Sequence, residues 1–463
     1  MTIPDNALAA LAEAVGPGGL LTGEAIPARN RKDASKAAEG LPAALVMPRT
    51  TEQVAAVLSI CSQASLPVVV QGGMTGLAGG ASPQAGEVAL SLERMSGVEE
   101  IDPVNRTMTV LAGTPLITVQ EKAAEAGFLY GVDLGARGSC TIGGNVATNA
   151  GGVQVLRYGM TRRNVLGLEV VTADGRIVSH LKKVVKNNAG YDWTQLFIGS
   201  EGTLGVVTRV LLALQPAVTG TQTALCAASS VAKALAALNR LEGRLGGSLL
   251  AFEAIWPEYM EAAAKHSALP WPFPAKPEIT LVIEAAMGPS EAGQEAFAEA
   301  LAELAEEGLL DDALIAQSSR DRTRFWAYRE ANYEFYRDMP PGIHFDVSIP
   351  LSNMETAVAL LRERVAARSA EALPIVFGHL ADSNLHLSIH SEVMELSGFA
   401  DIVYELVREM KGSVSAEHGV GILKRPYLGM SRSEPELALM ATLKRTFDPS
   451  NILNRGRILS ATA

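Results

Sequence analysis

The chain has 463 residues, of which 48% are hydrophobic and 19% charged. That balance builds buried cores and excludes disordered, coiled-coil and fibrous classes, and the length calls for two or three domains rather than one. A net charge of −11 argues against a nucleic-acid partner. Three cysteines, Cys61, Cys140 and Cys226, have no Cys-x-x-Cys spacing; they indicate neither a disulfide framework nor a thiolate metal site and fit a reducing, cytoplasmic setting.

From Met1 to Arg31 no basic stretch leads into an apolar run, and the Ala/Leu spacing after Asp5 predicts a short amphipathic helix rather than a signal peptide. No uninterrupted apolar run reaches the roughly 18 residues of a membrane span, so none is expected. A helix over Thr51 to Ala64 leads into a strand, Pro67 to Val70, and β-like runs follow at Val88 to Leu92, Thr107 to Ala112, Gly167 to Thr172 and Leu204 to Leu212. This half reads as α+β. Beyond Gln215 strands and helices alternate. Helices are predicted near Val231 to Leu241, Gln294 to Glu307, Asp321 to Arg337 and Met354 to Ser369. Strands are predicted at Ser248 to Ala254, Glu278 to Glu284 and Ile343 to Ile349, with a β-pair from Ile375 to His390. The expected division is 1–217, 218–425, and a segment 426–463 that returns to the first domain.

Glycine makes up 43 residues, about 9% against an average of roughly 7%, and it clusters between Gly72 and Gly205. The strand ending near Val70 empties into Gln71-Gly72-Gly73-Met74-Thr75-Gly76, a turn whose unblocked N–H groups suit a pyrophosphate; taken alone, it is more commonly an ordinary loop. The spacing does not fit G-x-G-x-x-G opening a helix, which disfavours a nicotinamide Rossmann site. Gly135 to Gly152 strings small residues together with hydroxyls and amides, and is too poor in bulk to stabilise itself. It must lie against other backbone or a flat ligand, and Gly199 to Val207 repeats the pattern.

His379, His386, His390 and His418 fall within forty residues of one another. If Ala381-Asp382-Ser383-Asn384 turns a hairpin, His379 faces His386 on one side of the pair. Two such imidazoles can share one ion or serve as a hydrogen-bonded structural pair. His390 lies too far along the strand for the same ion and reads as a satisfied surface histidine. Glu417-His418, followed by Gly419 and Gly421 in an irregular turn, would complete a two-His, one-carboxylate set with an open position. On the helix over Asp321 to Arg337, Phe325, Arg329 and Tyr336 fall near one face. Arg329 could clamp a carboxylate, while core packing explains the aromatic stripe as well.

These segments, in this order, resemble the vanillyl-alcohol-oxidase-type flavin fold, in the branch holding FAD-linked D-2-hydroxyacid dehydrogenases, over about Pro42 to Leu459. The resemblance implies a FAD-binding domain plus an α/β substrate-binding cap domain with an antiparallel sheet. It places Gly72, Gly73, Thr75 and Gly76, in the loop with Gln71 and Met74, on the pyrophosphate. Ser139, Gly143, Gly144 and Asn145, in the segment opened by Gly135, would run beside the flavin, with Thr148 and Asn149 following. Glu201, Gly205 and Val206 would lie near the adenine end, and Asn454 would return to the ring. No histidine stands in the first loop, so FAD is expected to be non-covalent.

The same resemblance makes His379, His386 and Glu417 the ligands of a divalent metal, zinc by ligand preference. It makes His418 the general base, imidazole being the side chain suited to proton transfer at neutral pH, and it gives Arg329 the substrate carboxylate. Three positions depart from the hydroxyglutarate pattern: Tyr333 and His344 stand where that group has a Thr and a Lys, and Ser388 where it has an Asn. Substrates of the D-lactate, D-malate and D-2-hydroxyglutarate classes therefore all remain. A quinone or an electron-transfer protein would take the electrons, and a homodimer is allowed. The competing readings are a glycolate-type oxidase and a non-catalytic flavin-binding subunit of a larger complex.

Overall fold

The computed structural model describes residues 3–267, 269–288, 290–392 and 396–461 and divides into two units. One comprises Met1–Gly152, Tyr158–Ala217 and Glu417–Ala463; the other comprises Val153–Arg157 and Val218–Ala416. The later boundary falls nine residues before the expected 425. Its cause is local: Ile422 and Leu423 donate their N–H groups to Ala78 O (3.0 and 3.1 Å), and Ile458 N–H donates to Gly421 O (3.0 Å).

In the first unit, Ala7, Leu11 and Val15 line the buried face of helix α1 (Asp5–Val15), as the spacing after Asp5 predicts. A four-stranded sheet follows, in the order β1 (Leu20–Leu21), β2 (Ala44–Val46), β4 (Val88–Ser91), β3 (Val68–Gln71), parallel except for β1. Helix α2 (Thr51–Gln63) starts where Thr50 Oγ1 accepts Gln53 N–H (3.2 Å), and it buries Val54, Val57, Leu58 and Cys61. A second, antiparallel sheet has the order β5 (Val98–Asp102), β6 (Thr107–Leu111), β9 (Val206–Ala213), β7 (Val165–Val171), β8 (Ile177–His180). Helices α3 (Leu116–Glu125) and α4 (Ile142–Thr148) contribute Leu116, Val119, Ala123, Ile142 and Val146 to its core.

The C-terminal residues close this unit. Asp448 accepts the N–H groups of Ile452 and Leu453 (3.0 and 2.8 Å), and buried Lys444 reaches Asp448, Thr203 O and Leu453 O (2.5, 2.9 and 2.7 Å). The straightened segment then runs beside β3, with Val68 N–H donating to Ile452 O and Asn454 N–H to Val68 O.

The second unit is built on seven antiparallel strands in the order β13 (Asp312–Ile315), β10 (Gln222–Ala228), β12 (Ile279–Ala285), β11 (Leu249–Ile255), β15 (Leu373–His379), β16 (Asn384–His390), β14 (Gly342–Ser348). Helices α5 (Val231–Leu245), α6 (Pro257–His266), α7 (Glu291–Glu306), α8 (Ser319–Glu330), α9 (Met354–Arg368) and α10 (Gly398–Glu409) carry the apolar stripes that cover it.

Two expectations are corrected here. The helix predicted over Asp321 to Arg337 stops at Glu330, and a separate short turn covers Asn332–Phe335. The hairpin pairs Phe377, not His379, with His386. Its turn consumes more chain than four residues, because Leu380–Asp382 winds into a 3-10 turn and Ser383 takes a left-handed φ of +69°. His379 instead stands opposite Glu253 on β11.

Candidate active site

In the first unit the loop after β3 is pressed against the start of α4 at distances only glycine allows. A Cβ on Gly73 would stand 2.0 Å from Ser139 O, and one on Gly72 2.6 Å from Thr141 Oγ1. Met74 holds a left-handed φ of +57°. Gln71 is fully buried, and its amide bonds Asn30 and Ala81 O. Asp33 braces the same loop, accepting Ala81 N–H (3.3 Å) beside Gly76. Thr75 lies in the loop at intermediate exposure. Gly135 and Ser139 lie in an exposed turn.

The low-bulk stretch beyond that turn becomes α4, and Gly143 lets the helix rest on Ala112, where a Cβ would come within 2.7 Å of the Ala112 Cβ. Thr148 Oγ1 donates to Gly144 O, and Asn149 caps the helix at φ +50° while accepting Arg162 N–H (2.9 Å). Gly205 abuts Phe197 and Val170, and Val206 opens β9 as a buried residue.

Asn454 and Glu201 tie this cradle together. Asn454 Oδ1 accepts Val70 N–H (2.8 Å), and its Nδ2 donates to Glu201 O (2.6 Å). The buried Glu201 carboxylate accepts the N–H groups of Val420 and Gly421 (2.6 and 2.7 Å). Burial pushes this carboxyl above its ordinary value, against the pull of those N–H groups and of Lys424. Glu201 thereby holds the turn just after Glu417-His418, where Gly419 and Gly421 adopt φ of +75° and +51°.

In the second unit a polar row crosses the sheet. Register puts Glu253 opposite His379, Phe377 opposite His386, and His386 opposite Asp346. Successive strand residues alternate faces, so Glu253, His379, Phe377, His386 and Asp346 share one face. The two-residue shift in pairing keeps that parity. His379 and His386 therefore meet as diagonal neighbours, their rings edge-to-face at 5.1 Å.

Glu253 Oε1 lies 2.6 Å from His379 Nδ1 and Oε2 lies 2.6 Å from Arg329 Nε, while Asp346 Oδ1 is 3.9 Å from His386 Nδ1. Burial would raise the Glu253 carboxyl, but His379 and Arg329 outweigh it and hold it below its ordinary value. Asp382, in the hairpin turn, is pushed up to about 6 by burial, with Glu253 and Asp346 adding to the shift and His379 opposing it.

The substrate-binding candidates separate. Arg329 is buried, stacked 4.6 Å over the Phe377 ring. Ser388 Oγ bonds Tyr336 OH and His390 Nε2, both at 3.0 Å, and the exposed His344 ring lies against Tyr336. Tyr333 is 65% exposed, apart from this group, because the break at Ala331 turns it off the helix face. His390 is satisfied but buried, its Nδ1 bonded to Pro340 O (2.8 Å), which corrects its expected surface position.

Residues 42–180 match the FAD binding domain family, and residues 219–458 match the family of FAD linked oxidases, C-terminal domain. A Bos taurus protein named D-2-hydroxyglutarate dehydrogenase, mitochondrial, is 38% identical over 464 aligned residues covering 100% of this chain and 85% of that one. The chain belongs to the FAD-linked D-2-hydroxyacid dehydrogenase family. A second member of this family, from Xanthomonas citri, named D-2-hydroxyglutarate dehydrogenase, is 36% identical across 90% of this chain and 89% of its own length. The solved structure of p-cresol methylhydroxylase with substrate bound shares the vanillyl-alcohol-oxidase-type fold, with a TM-score of 0.77 at 16% identity, covering 99% of this chain and 97% of that one.

The comparisons overturn the cytoplasmic expectation. The Bos taurus dehydrogenase carries mitochondrial in its name, as do those from Danio rerio and Rattus norvegicus. Among the described residues no helix is long and apolar enough to cross a membrane.

The cradle of this dehydrogenase fits the nucleotide its family binds. Backbone approaches backbone where side chains would block it, and Thr141 Oγ1 is buried without a hydrogen-bond partner beside Gly72. Sequence reasoning missed Asp33 and Glu253. The one signal for Glu253 is a lone carboxylate inside the apolar run Leu249-Leu250-Ala251-Phe252-Glu253-Ala254-Ile255.

Proposed function

We propose that this chain oxidises D-2-hydroxyglutarate, or a closely similar D-2-hydroxy diacid, to the 2-oxoacid, using non-covalent FAD and a divalent ion held by His379, His386 and Glu417. The observation that carries the reading is the pair of adjacent imidazoles, one of them fixed through Nδ1 by a buried carboxylate, the arrangement found behind metal-ligating histidines. Ala416, the residue before Glu417, donates its N–H to Asp346 O (3.4 Å), and Asp346 pairs with His386. Chain continuity therefore supports Glu417 as the third ligand, with zinc favoured by the donor set.

Bound FAD supplies the two-electron redox chemistry, and the ion supplies Lewis acidity toward the substrate hydroxyl. Arg329 orients the carboxylate next to the reacting carbon. His418 takes the hydroxyl proton, its position steadied by the Glu201 bonds to Val420 and Gly421. Relatives' names favour hydroxyglutarate. The row continuing through Ser388, Tyr336, His344 and His390 supports a diacid over D-lactate, since a second carboxylate needs donors where a methyl group needs none. Electrons leave to a quinone or an electron-transfer protein.

The test is anaerobic mixing of the yellow protein with D- and L-2-hydroxyglutarate, D-malate and D-lactate. Flavin absorbance bleaches with D-isomers only, fastest with D-2-hydroxyglutarate. A protein bleached by no hydroxyacid would refute the function, and rapid oxygen uptake on turnover would make it an oxidase.

A further inference from the structure

Glu253 lies at 1% exposure on β11, a strand whose other residues are all Leu, Ala, Phe or Ile. A carboxylate there is costly unless both oxygens are engaged. Its two oxygens are divided between two different tasks: Oε1 meets His379 Nδ1 and Oε2 meets Arg329 Nε, each at 2.6 Å. An ionised carboxylate only accepts, so His379 donates from Nδ1 and presents Nε2 as its lone-pair nitrogen. With Nε committed to Glu253, any carboxylate that Arg329 engages is met by its η nitrogens, and the stacking on Phe377 fixes the plane in which they lie.

We propose that Glu253 is a positioning residue that sets the metal-ligating tautomer of His379 and the orientation of the Arg329 clamp together, through one shared carboxylate. The inference rests on the metal and substrate roles assigned above. Asp346, 3.9 Å from His386, is the natural comparison, because the longer approach makes a weaker brace.

Glu253→Gln offers one acceptor where two donors converge. The test titrates the metal-free flavoprotein with Zn²⁺ in competition with a chromophoric chelator. Glu253→Gln is expected to weaken Zn²⁺ binding by about 10- to 100-fold and to raise KM for D-2-hydroxyglutarate more than it lowers kcat, with flavin content unchanged. Glu253→Asp keeps the charge but withdraws the carboxylate by about 1.5 Å; it decides the matter if the Gln variant does not fold, and should lose at least about fivefold in Zn²⁺ affinity. Asp346→Asn is expected to lose less than either.

A wild-type chain that takes up no Zn²⁺ overturns the metal assignment and this inference together. A wild-type chain that binds Zn²⁺ while both Glu253 variants bind it equally well overturns this inference alone, as would an equal loss in Asp346→Asn.

Discussion

Replacing Gly73 by alanine places a methyl carbon 2.0 Å from Ser139 O and 2.9 Å from Cys140 Cα. Both are backbone atoms with little room to retreat: Ser139 and Cys140 donate to Ala136 O (2.9 and 2.8 Å), and Cys140 O accepts Leu116 N–H (3.0 Å). Ordinary contact would require backbone to move by more than about 1 Å, and overpacking of that kind costs about 3 kcal/mol, the upper part of its usual range. At roughly 2 °C per kcal/mol for a chain of this size, the flavin-free protein should melt about 6 °C lower.

Neighbouring glycines calibrate the argument. A Cβ on Gly72 meets only the Thr141 hydroxyl (2.6 Å), which can rotate, and one on Gly76 meets Asp33 Oδ2 at an ordinary 3.6 Å. Gly72→Ala should therefore cost about 1 kcal/mol, and Gly76→Ala should melt with wild type, while all three lose bound flavin if the loop faces the pyrophosphate. Thermal scans of stripped protein and the ratio of visible to ultraviolet absorbance of purified protein separate the two effects. Equal melting points for all three variants, or a Gly73→Ala protein with wild-type melting and full flavin, would refute the steric reading.

Asp382 gives a pH effect of definite sign: its carboxyl rises from 3.8 to about 6 on burial, so the neutral acid is favoured in the fold. Stability of chelator-treated protein should fall by up to about 3 kcal/mol as pH rises from 4 through 6, and Asp382→Asn should flatten that fall in urea melts at several pH values. All three cysteines are buried, and burial raises each thiol, Cys61 to about 12. A thiol-specific chromogenic disulfide at pH 8 should react with none in the native protein and with three in denaturant. Lys444→Met leaves Asp448 buried without its cation and should cost about 3–5 kcal/mol in chemical denaturation.

The glycine loops were legible because their lack of bulk is itself the signal, and Gly73 against Ser139 O shows what the missing side chains make room for. The histidine pair was legible by parity: the hairpin register slipped by two, and a two-residue slip preserves the face. Glu253 was not legible, since only the sheet order brings β11 beside β15, 126 residues away in the chain. The exposure of Tyr333 was not legible, because helical spacing carries no mark of the break at Ala331. The domain boundary moved because the turn after Glu417 is fastened by Glu201 and Ala78, contacts with no local sequence signature.

The bond from Val70 N–H to Asn454 spans 384 positions. During synthesis the strand that leads into the glycine-rich loop must wait for the chain as far as Asn454 to emerge before this neighbour arrives. A nucleotide site that depends on that bond would be completed only after the inserted seven-stranded unit has been synthesised.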